Sequence, residues 1–254
     1  MVRKMAILLE KIKSFAIGLL LVSILWYVAY VVIDRNVMPN PIVVLRAMPT
    51  LLEHNIIAHL LLSLQRVFIG LLFSMIIGLV FGILAADKKI SKILTPFIYF
   101  TYPIPRVAFL PVIMLVFGLR DVSKIIMIVL VVVFPIIIVV RDSVKDIPKE
   151  TYNSLICLGA SRIQVFFLVT LPWAASGFLS TMRISLGTAV AILFFTETYG
   201  TTYGMGFFIL DMWRRINYVM MFAGIVVLSM SGFLMFVCID VLEDVLLKWK
   251  KTGM

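Results

Sequence analysis

Uncharged runs alternate with short charged clusters along the whole chain, and the length of each run decides what it can become. Residues 14–33 and 67–86 contain no charged side chain. At 1.5 Å per residue about 20 residues cross the apolar layer of a bilayer, so each run predicts one transmembrane helix, the first beginning near Phe15. Residues 93–119 form an irregular span, interrupted by Pro96, Pro103, Pro105 and Pro111, with Arg106 near its middle. Backbone broken at that depth needs protein or water to satisfy it. Residues 125–140 with Pro135 inside, 173–195 with Arg183 inside, and 216–239 complete six predicted spans. Between the first two spans, Pro39, Pro41 and Pro49 break any continuous helix, so that segment is expected to lie along the outer surface.

Composition agrees with a membrane protein. Of 254 residues, 63% are hydrophobic and 14% charged, against roughly a quarter charged in soluble domains. The net charge of +10 is scattered between apolar runs rather than striped on one soluble face, so a nucleic-acid partner is not expected. The uncharged run 14–33 is longer than a signal-peptide core and lacks a small-x-small cleavage site, so it is expected to remain as a span. The basic residues set its orientation. With both termini inside, fourteen Lys and Arg fall at the termini, at Lys88, Lys89 and Lys92, and between Arg141 and Arg162. Only Arg35, Arg46, Arg120, Lys124, Arg214 and Arg215 fall outside, as the positive-inside rule requires.

Cys157 and Cys238 lie far apart near the expected cytoplasmic side and imply no disulfide framework. His54 and His59 share a predicted polar loop without further metal ligands. The glycine-rich turn at residues 200–206 lacks the Lys-Ser or Lys-Thr of a phosphate-binding loop, and no Walker motif or catalytic triad pattern occurs elsewhere. The chain is therefore not expected to be an enzyme. If ATP powers it, another chain binds the ATP.

An ionisable group within a span costs about 3 kcal/mol on insertion scales and is a functional candidate by default. Arg66 sits near a span end, where its side chain could reach the interface. Arg106 and Arg183 lie deeper and either line a wet anion path or pair with Glu197, the one carboxylate close to a span.

Residues 146–172 are too polar to sit inside a bilayer. Asp146, Pro148 and Glu150 give a helix start signal and Gly159 a stop signal. Between them Pro148, Tyr152, Leu155, Ile156 and Gly159 share one face, with Lys149, Glu150, Asn153, Ser154 and Cys157 on the other. Ser161 and Gln164 form a capping box for a second short helix that Pro172 is expected to close.

This stretch resembles the cytoplasmic signature of binding-protein-dependent ABC transporter permeases: Glu-Ala-Ala, three residues, Gly, nine residues, Ile, any residue, Leu-Pro. Gly159, Val169, Leu171 and Pro172 fall in that register, with Asn153, Ser154 and Leu155 at the Glu-Ala-Ala positions. The resemblance continues through PNPIVVLRAM, IPRVAFLPVIMLVFGL, STMRISLGTAVAILFFTE and GMGFFI, and is closest to the nitrate, sulfonate, taurine and bicarbonate import branch.

It implies an all-α polytopic membrane protein with six transmembrane helices and a cytoplasmic coupling helix. The expected layout is a cytoplasmic segment 1–14, a permease domain 15–247 with coupling helices 148–171, and a cytoplasmic tail 248–254. The resemblance assigns contact with an ATP-binding subunit to Tyr152, Asn153, Ser154, Leu155, Ile156, Leu158, Gly159 and Ala160. The resemblance carries over Pro105 and Pro111 in the broken helix, Arg183 and Glu197 on the fifth span, and Gly204 and Gly206 after it; with Arg106, singled out by its charge, Pro105, Pro111, Arg183 and Glu197 are the pathway candidates. The implied partners are a second permease copy, two ATP-binding subunits carrying ATP and Mg, and an extracytoplasmic solute-binding protein, in a bacterial or archaeal plasma membrane. The alternative is an ion-gradient-driven secondary transporter, which needs paired repeats and intramembrane acids. Here Glu197 stands alone and no repeat is visible.

Overall fold

The computed structural model describes residues 2–33 and 37–246, with side chains from residue 17 onward save those of 176, 180 and 244–246. The side chains of the basic N-terminal segment, Asp34, Arg35 and the tail from Lys248 lie outside this description.

The described residues are helical. In chain order they form α1 (Val2–Val32), α2 (Pro41–Ala47), a 3-10 turn (Met48–His54), α3 (Ile56–Ala86), α4 (Lys88–Thr101), a 3-10 turn (Arg106–Phe109) and α5 (Leu110–Phe117). After these come α6 (Asp121–Lys145), α7 (Lys149–Cys157), α8 (Arg162–Val165), a π-turn (Phe166–Thr170), α9 (Leu171–Glu197), α10 (Met205–Arg214) and α11 (Tyr218–Leu246). Length and composition qualify Ile56–Ala86, Asp121–Lys145, Arg162–Leu179 and Tyr218–Glu243 as membrane spans. Lys88–Thr101 and Arg106–Phe117 qualify together as a fifth candidate, bent by 83° at the break into either one broken span or a re-entrant loop, and Ile17–Val32 is a shorter apolar helix.

The chain forms two compact units, residues 1–57 with 208–227, and residues 58–207 with 228–254. In the first, Asn40 accepts from the Ile42 amide to cap α2, Pro49 opens the 3-10 turn, and Trp26 stacks on Phe222.

The second unit is built on close packing of α3 along α6. Gly70, Gly78 and Gly82 face Ile128, Ile136 and Val140 so closely that an added Cβ at any of them would overlap the opposing side chain. Each pair is offset by the same number of residues, so the two helices run parallel. Parallel neighbours need a return crossing, and the bent pair α4–α5 is the chain between them. Val67, Leu71, Ile128, Val132, Ile136, Val140, Leu186 and Leu193 make the core where α9 joins them. α9 runs the opposite way, since Gly177 meets Ser143 near one end of α6 while Glu197 meets Arg66 near the other.

Four boundaries differ from those read in the sequence. α3 begins eleven residues before Val67, so His59 is a buried helix residue rather than part of a polar loop. Asp146 terminates α6 instead of starting α7, its amide bonding back to the Asp142 carbonyl. Pro172 does not close the second short helix: α8 passes through the π-turn into α9, with the Leu171 amide reaching the Phe166 carbonyl five residues back. Proline lacks a donor and crowds the carbonyl four residues earlier, and a π-turn makes room for both without ending the helix. The last helix runs past Ile239 and carries Asp240 and Glu243.

Candidate functional site

α7 and α8 form a short rigid knob. α7 ends in a Schellman motif, the Ala160 amide donating to the Leu155 carbonyl (3.0 Å) and the Gly159 amide to the Ile156 carbonyl (2.9 Å). This motif places Gly159 at φ +80°, a left-handed conformation that glycine adopts without steric cost. Two residues later Ser161 and Gln164 make the expected reciprocal capping box. The joint between the helices is thus defined on both sides. Tyr152 ties α7 to the start of α9 through Thr170, 3.4 Å away. Beneath the knob a cleft of about 480 Å³ is lined by Ile83, Lys88, Val144, Lys149, Tyr152 and Thr170.

Three large apolar side chains stand exposed on the otherwise polar surface of the knob. Leu158 is 83% exposed, Ile163 71% and Ile156 58%, while Tyr152, Leu155 and Ala160 are half-buried and Asn153 and Ser154 exposed. Ile156 therefore points away from the side that Tyr152 and Leu155 occupy, which corrects the face drawn from helical spacing. The short helix rests on only two of its apolar residues.

The charges inside the spans pair differently from the sequence expectation. Glu197 is fully buried and bonds Arg66, not Arg183. Arg66 Nη1 donates to Glu197 Oε1 (2.7 Å) and to the Tyr203 carbonyl (2.9 Å), while its Nε donates to Asp121 Oδ1 (2.8 Å). Arg66 is 4% exposed, so it does not reach outward. Ser63 donates to Glu197 (2.8 Å) and accepts from the Met205 amide (2.8 Å), and the Gly206 amide donates to Glu197 Oε2 (2.9 Å). The carboxylate thereby meets the Gly206 amide in the first turn of α10, where the helix dipole favours negative charge. Gly204 packs directly on this carboxylate at φ +134°, and a Cβ there would collide with it.

Lys124 is fully buried and donates to the Leu119 carbonyl (2.8 Å) after the end of α5. The His59 ring lies between Tyr203 (5.2 Å) and Phe207 (6.0 Å). Together these contacts fasten the turn at residues 198–206 to α3.

Arg183 finds two acids of its own. Its Nε lies 2.6 Å from Asp240 Oδ1 and its Nη2 donates to Glu243 Oε2 at 2.6 Å. Arg106 finds none among the described residues. It stands where the bent pair breaks, after Pro105 and before Pro111, 4.2 Å from the Phe134 ring centre and 5.2 Å from that of Tyr102. The pathway candidates therefore separate into two that are paired with other side chains, Glu197 with Arg66 and Arg183 with Asp240 and Glu243, and a group at the break: Pro105, Arg106 and Pro111.

Ser63, Asp121, Asp240 and Glu243 were not singled out in the sequence. Asp240 and Glu243, three apart, share one helix face, a signal hidden because the apolar run stops before them while the helix does not. Ser63 and Asp121 carry no comparable pattern, since what unites them is the parallel packing of α3 and α6.

Comparison with known proteins fits this architecture. The family described as binding-protein-dependent transport system inner membrane component matches residues 74–251. A formylaminopyrimidine transport permease protein, ThiX of Halalkalibacterium halodurans, is 28% identical over 91% of this chain and 94% of its own length. A putative aliphatic sulfonates transport permease protein, SsuC of Bacillus subtilis, is 31% identical over 87% of this chain and 81% of its own. The taurine transport system permease protein TauC of Escherichia coli is 29% identical over 93% and 90%. Among solved structures, an inward-facing MetNI methionine ABC transporter superposes with a TM-score of 0.63 at 19% identity, covering 73% of this chain and 93% of that one, and so shares the fold.

Proposed function

Since the chain belongs to the binding-protein-dependent transport system inner membrane component family of ABC permeases, we propose that it crosses the membrane six times and moves a small solute across it by alternating access. The sixth span is α1, whose segment Ile17–Val32 is apolar. In this reading two copies enclose the path, a binding protein delivers solute from outside, and two separate ATP-binding subunits supply the work. Both termini face the cytoplasm, and so does the knob made by α7 and α8.

The observation that carries the reading is the exposed apolar tip of the knob, Ile156, Leu158 and Ile163, held on a joint fixed by the Schellman motif and the capping box. Exposed leucine and isoleucine on a polar protrusion fit burial against a protein partner, and the resemblance of this stretch to the permease signature supports an ATP-binding subunit as that partner. Asn153 stands where the family has Glu, so at this position the contact is neutral. Rigidity matters because the knob transmits force. Switching a two-state transporter from 1:99 to 99:1 takes about 5.5 kcal/mol of differential stabilisation, and a floppy joint would dissipate it.

Gly159→Pro tests the joint. Proline holds φ near −65°, which is incompatible with the +80° found there. The variant is expected to insert normally and to assemble with the ATP-binding subunits. Uptake per ATP hydrolysed should fall at least tenfold in proteoliposomes, whereas a variant that transports with the normal ratio would contradict the role given to the joint.

A further inference from the structure

Four segments meet around the cleft of about 480 Å³ under the knob: the last turn of α3, the start of α4, the end of α6 and the opening of α7. Three lysines line it, Lys88, Lys145 and Lys149, against one carboxylate, Asp87. Asp87 is already engaged, because its Oδ1 accepts from the Lys89 and Ile90 amides (2.8 and 3.2 Å) and caps α4. Lys145 donates to the Ser91 hydroxyl at 3.1 Å, while Lys88 and Lys149 make no ion pair among the described residues. Other acids nearby do not compensate. Asp142 pairs with Arg141, and Asp146 and Glu150 are exposed outside the lining. The chain thus gathers three ammonium groups in one recess without supplying their counter-charge, an arrangement that attracts an anion.

The walls of the recess narrow the class of anion. Ile83 lies in the last turn of one membrane-spanning helix and Val144 in the last turn of another. With Ile147, 5% exposed, they give the cleft an apolar floor. A lysine-rimmed recess with an apolar floor, at the end of two spans, lies at the level of lipid headgroups, and basic pockets between spans take up anionic ones. A soluble phosphate would use the rim alone and leave the floor without a partner. Two hydroxyls add donors. Tyr152 and Thr170 both line the cleft and approach each other only to 3.4 Å, a long contact that leaves either free to turn to a stronger acceptor.

We propose that this cleft binds the phosphate group of an anionic membrane lipid, with the ammonium groups of Lys88 and Lys149 on its oxygens and the glycerol backbone against Ile83 and Val144. Lysine serves phosphate as a point charge carrying three donors. Because Lys88 belongs to α4 and Lys149 to α7, one phosphate held by both fastens the knob to the spans. The assignment is drawn from the cleft alone and stands or falls separately from the transport reading.

Full-length permease, delipidated in detergent, is offered phosphatidylglycerol or phosphatidylcholine with the same acyl chains, and bound lipid is counted by native mass spectrometry. One phosphatidylglycerol per chain is expected to remain at concentrations where phosphatidylcholine is lost. Lys88→Gln with Lys149→Gln should weaken its binding by roughly tenfold to a hundredfold, the loss of two charge-assisted contacts. Lys89→Gln with Lys92→Gln, exposed residues of α4 outside the lining, should leave it unchanged. Equal retention of the two lipids overturns the assignment, and so does equal loss in both double variants, which would reduce the effect to general surface charge.

Hydrogen exchange then locates the lipid. The amides of α7 are expected to exchange more slowly in phosphatidylglycerol nanodiscs than in phosphatidylcholine nanodiscs, and Lys88→Gln with Lys149→Gln should abolish the difference. Phosphatidylglycerol that binds without slowing exchange in α7 sits elsewhere and contradicts the proposal. Inorganic phosphate is titrated into the phosphatidylcholine nanodiscs as the soluble alternative. Protection of α7 by phosphate equal to that given by phosphatidylglycerol would assign the cleft to a soluble anion and overturn the lipid site.

Discussion

Replacing Glu197 with Ala is expected to cost about 3–5 kcal/mol of stability, the loss usual when one partner of a buried ion pair is removed. The carboxylate is fully buried and receives Arg66, Ser63 and the Gly206 amide at once. Its removal takes the acceptor from the buried Gly206 amide and the buried counter-charge from Arg66, which keeps the Tyr203 carbonyl and Asp121, and the exposed Asp121 offsets only part of the charge. In detergent, the variant should show a markedly lower unfolding temperature or fail to accumulate as folded protein. A control separates charge from packing: Glu197→Met with Arg66→Met should recover much of the loss, because replacing both members of a buried pair with apolar groups is far cheaper than removing one. Wild-type stability in Glu197→Ala would show that the pair does not hold the turn at residues 198–206 to α3.

Leu158→Glu is the opposite case, neutral to the fold and severe for function. Leu158 is 83% exposed on the knob, so a carboxylate there stays hydrated and should leave unfolding unchanged within about 0.5 kcal/mol. On docking, the same carboxylate would enter an apolar groove without a partner. Buried, uncompensated charge costs about 3–5 kcal/mol, or at least a hundredfold in affinity at 1.4 kcal/mol per factor of ten. Copurification of the ATP-binding subunits with the variant should fail, and ATP-driven uptake with it. Retained assembly would move the docking surface away from Leu158.

Most of the architecture was legible because bilayer thickness imposes a length on each span that composition alone reveals. The broken span was legible too, since prolines at 103, 105 and 111 admit no continuous helix. Local capping codes were read correctly where the chemistry is local, as in the Ser161–Gln164 box and the Gly159 stop.

The pairings were not legible. Arg66 joins Glu197 across more than a hundred residues of chain, and no spacing rule encodes that contact. The Arg66–Asp121 contact arises from α3 lying parallel to α6, with glycines at 70, 78 and 82 meeting branched residues of the partner helix, and α9 brings Glu197 to the same arginine. At two helix boundaries charge and proline, which ordinarily stop a helix, do not. Asp240 and Glu243 continue α11 because Arg183 neutralises them, and Pro172 sits within a helix because the π-turn before it relieves the clash.

Everything proposed for transport depends on the knob lying on the ATP side of the membrane. Cys157 is an exposed free thiol on α7, and Cys238→Ser leaves it as the one thiol in the chain. A membrane-impermeant maleimide applied to oriented vesicles should label Cys157 in inverted vesicles, fail to label it in right-side-out vesicles, and be slowed when the ATP-binding subunits are bound. Labelling from the outside, unaffected by those subunits, would put the knob beyond their reach and contradict the account.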